Sequence, residues 1–174
     1  MRLQLPKPCA IAGPLSRGRR LLWFAGHGYT VGGEGFIVPA DAPTATDPRF
    51  KVKALPMRDF GTLVRLADSK HVLSVFDSCF SGTVFASRSG AAPAAITQKT
   101  AEPVRQFLTS GDAGQSVRDD GAFRDLFIRA IRGEETADVN ADGYVTGDEL
   151  GLFLSQRVAS LTAAAQTPRY GKLH

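Results

Sequence analysis

The stretch that most limits how this chain can fold is Val72–Gly82, VLSVFDSCFSG. Its apolar opening, Val72 to Phe76, is too short for a helix and is bounded at once by Asp77, Ser78, Cys79 and a Ser81-Gly82 turn. That pattern predicts a buried strand. Leu21-Leu22-Trp23-Phe24-Ala25, followed by Gly26-His27-Gly28, has the same shape. Between the two runs Pro56 suits a helix start, and Phe60, Leu63, Val64 and Ala67 share one helical face. A strand, a helix and a second strand in that order form a crossover, which makes the strands parallel. Cys79 and His27 then stand at the carboxyl ends of neighbouring strands, where open sheets carry their chemistry.

A chain of 174 residues can bury one core and is short for two. An apolar content of 43 % is that of an ordinary globular protein. No apolar run approaches the roughly 20 residues of a membrane span. Prolines and arginines interrupt MRLQLPKPCAIAGPLSRGRR, where a secretory signal would need an apolar segment. The two cysteines are Cys9 and Cys79, and a disulfide between them would consume the second thiol, so a reducing cytoplasm is the expected compartment. The net charge of +4 is scattered apart from Arg17-Gly18-Arg19-Arg20, and no aromatic residues interleave with it. It reads as a solvated surface, and neither nucleic acid nor membrane is expected as a partner.

Residues 1–19 show no clear period and read as an irregular arm, leaving 20–174 as one domain. Tyr29–Val38 is a hairpin candidate in which Gly32, Gly33 and Gly35 supply positive φ. A phosphate-cradling reading of these glycines fails for want of the Lys-Ser/Thr of a P-loop. Ala40–Pro56, rich in proline, reads as loop, and Thr83–Pro103, rich in Ala, Ser and Gly, as a mobile loop beyond Cys79. Val104–Thr109 is the next strand. Asp119 and Asp120 can cap a helix with Phe123, Leu126, Phe127, Ala130 and Ile131 as its apolar stripe and Gly133 as its stop. A last helix carries Leu150, Leu154, Val158 and Leu161, and the tail Gln166–His174 is polar.

Asp138-Val139-Asn140-Ala141-Asp142-Gly143-Tyr144-Val145-Thr146-Gly147-Asp148-Glu149 matches D-x-[DN]-x-[DN]-G-x₅-E, the EF-hand loop. Asp138, Asn140 and Asp142 offer side-chain oxygens, Gly143 permits the sharp turn, Tyr144 gives its carbonyl, Thr146 acts directly or through water, and Glu149 closes the shell. Helices are expected on both sides. A single loop suits a structural Ca²⁺ rather than a sensor, and no organic cofactor is expected.

FAGHGY (Phe24–Tyr29) and DSCFSG (Asp77–Gly82) resemble the paired His and Cys blocks of caspase-like cysteine peptidases, within them the metacaspases and their bacterial relatives. His27 and Cys79 lie 52 positions apart, close to the roughly 50 of caspases. The resemblance runs with less specific matches from Arg20 to about Leu173. It implies an α/β fold, a caspase-like, mainly parallel sheet flanked by helices. The family's strand, helix and second strand ahead of the His block are not visible, so the sheet is expected to be incomplete at its N-terminal edge. That leaves the edge to a partner chain, or marks the chain as a fragment or a decayed relative.

Taken singly, Cys79 is a small strand-end hydrophobe and His27 a turn residue; together they suit nucleophilic catalysis, a thiolate attacking a peptide carbonyl and an imidazole supplying a proton to the departing amine. The resemblance implies that the N–H groups of Gly28 and Cys79 form the oxyanion hole. Asp77, two residues before Cys79, points to the same side of an extended strand. Beside a thiolate it would hinder ionisation, but it can hold a basic side chain, and the resemblance implies an acidic pocket selecting Arg or Lys before the cleaved bond. The function expected is endopeptidase cleavage of peptide or protein substrates after basic residues; the alternative is a catalytically inactive caspase-like interaction module with a structural calcium loop.

Overall fold

A strand covered on both faces needs apolar residues at nearly every position, and His71–Asp77 meets that need with Val72, Val75 and Phe76, each at most 1 % exposed. The computed structural model describes residues 18–78, 103–112, 115–118 and 120–173. In chain order these form β1 (Arg19–Ala25), β2 (Gly28–Val31), β3 (Glu34–Ile37), α1 (Phe50–Lys53), β4 (Leu55–Pro56), α2 (Met57–Leu66), β5 (His71–Asp77), β6 (Val104–Thr109), α3 (Ala122–Ile131), α4 (Gly147–Leu161) and β7 (Arg169–Leu173). The larger sheet has the order β1-β5-β6-β7, parallel across β1, β5 and β6, with β7 antiparallel to β6. The molecule is thus α/β, with a mixed, mostly parallel sheet flanked by helices.

Alternation along the strands sorts the two cores. Trp23, Leu73, Val75, Leu108 and Tyr170 face α3 and α4, where they join Phe123, Leu126, Phe127, Leu150 and Leu154. Phe24, Val72, Phe76, Phe107 and Leu173 face α2 and its Met57, Phe60 and Val64. The Arg105 guanidinium crosses from β6 to the carboxyl end of α2, donating to the carbonyls of Val64 at 2.8 Å, Ala67 at 2.9 Å and Lys70 at 3.1 Å. The same carbonyls accept the N–H groups of Ala67, Ser69 and Val104, so the guanidinium adds a second bond to each, and a cation there also suits the helix dipole. The start of β5 is tied to β6 in this way.

The expected hairpin is present: β2 and β3 pair antiparallel across Gly32 and Gly33, at φ 59° and 81°, the signature of a type I′ turn. Gly35 differs from expectation, lying within β3 rather than in the turn. Ala40–Pro56 is not all loop, because Phe50, 2 % exposed, and Ala54 pack with Phe36 in a third apolar cluster, and β4 pairs with β3. Leu63, Ile131 and Leu161 are 59 %, 54 % and 61 % exposed, each at the margin of its helix's apolar stripe. The tail, expected only to be polar, forms β7, since Tyr170 and Leu173 suffice to bury an edge strand on both faces. Among the described residues nothing pairs with the outer edge of β1, and Leu21 and Leu22 there are 50 % and 39 % exposed. No described helix is long and apolar enough to cross a membrane. The expected arm falls almost wholly on residues 1–17, outside the described residues, as do Asp119 and 79–102, which hold Cys79 and nearly all of the expected mobile loop.

Gly147 and Gly151, one turn apart on α4, make a groove for Tyr170 of β7. A Cβ on Gly151 would lie 2.5 Å from the Tyr170 Cβ, and one on Gly147 would lie 2.6 Å from its hydroxyl. Gly151→Ala should therefore destabilise the protein in urea unfolding by about 1–3 kcal/mol, the usual scale of overpacking, despite the roughly 1 kcal/mol that Ala gains over Gly in a helix. An increase in stability would contradict this packing.

Candidate active site at the carboxyl ends of the parallel strands

β1 and β5 run side by side from Arg19 opposite His71 to Ala25 opposite Asp77. Beyond that pair the Gly26 N–H donates to the Asp77 carbonyl at 3.3 Å, carrying the contact one residue past the ladder. His27 follows, exposed, between β1 and β2. Its carbonyl accepts the Val38 N–H at 3.0 Å. Antiparallel ladders alternate hydrogen-bonded and non-hydrogen-bonded pairs. With residues 27 and 38 bonded, the next pair, Gly28 opposite Ile37, is non-bonded, and the Gly28 N–H points away from β3. An N–H turned out of its own ladder is free to meet a substrate oxygen.

Asp77 is the half-buried last residue of β5, and Ser78 after it is buried. The structure thus brings His27, Gly28 and Asp77 to one end of two adjacent strands. Cys79 lies outside the described residues.

Sequence reasoning missed the polar residues beneath this end of the sheet. Ser110 is 0 % exposed and its hydroxyl accepts the Ser78 N–H at 3.1 Å. Gln166, 3 % exposed, donates to the Ser110 carbonyl at 2.7 Å and accepts the Arg118 N–H at 3.2 Å. Asp112 pairs with Arg169, and Gln115 accepts the N–H groups of Asp112 and Thr167. The available signal was Thr109-Ser110-Gly111-Asp112, a polar turn directly after an apolar strand.

The expected metal loop lies apart from this end, between α3 and α4. Asp138 accepts the N–H groups of Asp142 and Gly143, Asn140 accepts that of Asp142, and Asp142 accepts that of Tyr144. Ala141 and Gly143 take positive φ, which winds the loop tightly. Thr146 caps α4, with its hydroxyl accepting the Glu149 N–H and the Glu149 carboxylate accepting the Thr146 N–H in return. The donor set of carboxylates, amide and hydroxyl oxygens and the Tyr144 carbonyl is of the hard type that Ca²⁺ takes. Among the described residues no three acidic, His or Cys side chains gather into a metal cluster; the carboxylates are turned to main-chain N–H groups instead. One expectation is met only loosely: α3 ends at Ile131, so Arg132–Ala137 intervene before the loop, whereas an EF-hand helix runs directly into it.

Burial pushes the Glu149 carboxyl up, but hydrogen bonds from the Thr146 side chain and from the main chain of Thr146, Asn140 and Val139 outweigh it and hold the group below its ordinary value. A carboxyl lowered on folding stabilises the fold fully above its unfolded value, about 4.3, and loses that contribution as the pH falls through the folded one. In chelator-treated buffer the wild type should therefore unfold at a higher temperature than Glu149→Gln at pH 7, and the gap should narrow as the pH falls below about 4.3 and close once it lies below the lowered folded value. A gap that persists there would contradict the assignment. No protein-family model matches the chain, and no curated protein matches it significantly.

Proposed function

We propose that the chain is a caspase-like cysteine endopeptidase cleaving after Arg or Lys, with Cys79 as nucleophile and His27 as its acid–base partner. The observation that carries this reading is the register of β1 on β5: every residue of β1 lies opposite the one 52 positions later, and 52 positions also separate His27 from Cys79. Each follows the last ladder pair, Ala25 with Asp77, by two residues. The FAGHGY and DSCFSG blocks, which resemble those of the caspase-like peptidases, fall at these same two strand ends.

In the proposed reaction the Cys79 thiolate attacks the scissile carbonyl carbon, forming a C–S bond while the carbonyl oxygen takes the charge. The outward Gly28 N–H, with that of Cys79, stabilises this oxyanion. The His27 imidazolium gives its proton to the departing amine, leaving a thioester. Water, deprotonated by the now neutral imidazole, adds its oxygen to the acyl carbon, the C–S bond breaks, and the acid product leaves the thiolate and imidazolium as they began. Asp77 supplies the negative charge that selects a basic side chain before the cleaved bond.

The loop 138–149 is proposed as a structural Ca²⁺ site held by the side chains of Asp138, Asn140, Asp142, Thr146 and Glu149 and the carbonyl of Tyr144. The ion would fix the amino end of α4, and no catalytic step needs it. The outer edge of β1, which no described residue pairs with, favours a second reading, a caspase-like module that binds a partner along that edge without cleaving it.

Cys79→Ala should abolish hydrolysis of short Arg- or Lys-ended peptide reporters with thermal unfolding unchanged. His27→Ala should slow it by about 10²–10⁴-fold, the usual weight of a general acid–base. Unchanged turnover in Cys79→Ala would end the peptidase reading and leave the binding module. Calorimetric titration should detect Ca²⁺ binding at millimolar concentration or below, lost in Asp138→Asn; absence of heat would remove the site.

A further inference from the structure

A β-ladder leaves the backbone beyond its last pair without a partner, and a buried N–H in that position needs an acceptor. The β5–β6 ladder ends at Phe76 opposite Thr109. Past it the Ser110 N–H still donates to the Phe76 carbonyl at 2.8 Å. The next contact is made by a side chain: the Ser110 hydroxyl accepts the Ser78 N–H at 3.1 Å. Ser78 and Ser110 are 2 % and 0 % exposed, so water is no alternative partner.

Ser110 is itself held on a second side. Its carbonyl accepts Gln166 Nε2 at 2.7 Å, while Gln166 accepts the Arg118 N–H at 3.2 Å and donates its own N–H to the Thr162 hydroxyl at 3.1 Å. Three segments, the ends of β5 and β6 and the turn after α4, are thereby joined in one buried polar chain. The Ser78 N–H, the Ser110 hydroxyl and carbonyl and the Gln166 side-chain amide each meet a partner in it, and such bonds in a buried network rigidify a core. Ser is the smallest residue that supplies the acceptor in a site with no exposed surface.

We infer that Ser110 is a positioning residue, fixing through the Ser78 peptide the direction in which the chain leaves β5 toward Cys79. The inference rests on the cysteine-peptidase reading. The peptide that joins Asp77 to Ser78 is held from two sides, its carbonyl by the Gly26 N–H and its N–H by the Ser110 hydroxyl. An Ala at 110 removes the second of these holds and so loosens the aim of thiol on imidazole without touching either.

The test is the rate of iodoacetamide alkylation of Cys79 against pH, in full-length Cys9→Ser protein so that only one thiol reacts. Three forms are compared: the Cys9→Ser parent, the parent with His27→Ala, and the parent with Ser110→Ala. The expected result is a Ser110→Ala profile displaced from the parent's toward that of His27→Ala, with alkylation at neutral pH about tenfold slower, as a thiol gives when its pKa rises by about one unit. If the parent and His27→Ala differ but Ser110→Ala follows the parent, the positioning role falls and the dyad stands. If the parent and His27→Ala coincide, both fall. Should Ser110→Ala fail to fold, hydrogen exchange of the Ser78 amide in the parent decides: slow exchange supports the inference, and exchange at the rate of an open peptide overturns it.

Discussion

The parallel pairing of β1 with β5 is the contact on which the rest of the molecule depends. β5 is packed on both faces, by α2 through Val72 and Phe76 and by α3 and α4 through Val75, so its position is over-determined. Among the described residues β1 has one neighbour in the sheet. Its position is set by the in-register ladder and by Trp23 and Phe24, which reach into opposite cores: Trp23 meets Phe127 edge-on at 5.0 Å, and Phe24 tilts against Phe76 at 6.3 Å. A slip of one residue would exchange these two aromatics between faces. The same register decides what stands opposite Asp77, and so which residues can act together at that end of the sheet.

Below the strand ends the structure uses polar groups in place of apolar packing. Thr109 and Ser110 are fully buried, and each is answered: the Thr109 hydroxyl by the Gly111 and Arg169 carbonyls, Ser110 by Gln166 and Ser78. A buried hydroxyl without partners is costly, whereas a satisfied chain of them fixes a single arrangement. The apolar cores hold the strands, and this polar layer fixes their carboxyl ends.

Much of this was legible in the chain. The apolar runs before His27 and Asp77 and the run Val104–Thr109 became β1, β5 and β6 nearly residue for residue, because a strand packed on both faces needs consecutive apolar residues. Phe123, Leu126, Phe127 and Ala130 lined up as a buried stripe for the same kind of reason. β7 was not legible, since Arg169–Leu173 holds only two apolar residues and gains its place from β6 and from the glycine groove of α4. The short α1 and β4 hid among prolines, with Phe50 as the one clue. Ser110 and Gln166 were invisible because the burial of a polar side chain is decided by partners far along the chain, 56 positions apart in this case, and no local pattern encodes it.

The central claim is spatial: residues 27 and 79 meet at the ends of neighbouring strands. A cross-link tests it without asking for activity. In a Cys9→Ser, His27→Cys protein the only thiols are at 27 and 79, and a disulfide forms only if their Cα atoms come within about 7 Å. Mild oxidation of the folded protein should yield an intramolecular bond between the two, visible as a loss of both free thiols and of two mass units. Two thiols that stay free while the protein remains folded and monomeric would contradict the account.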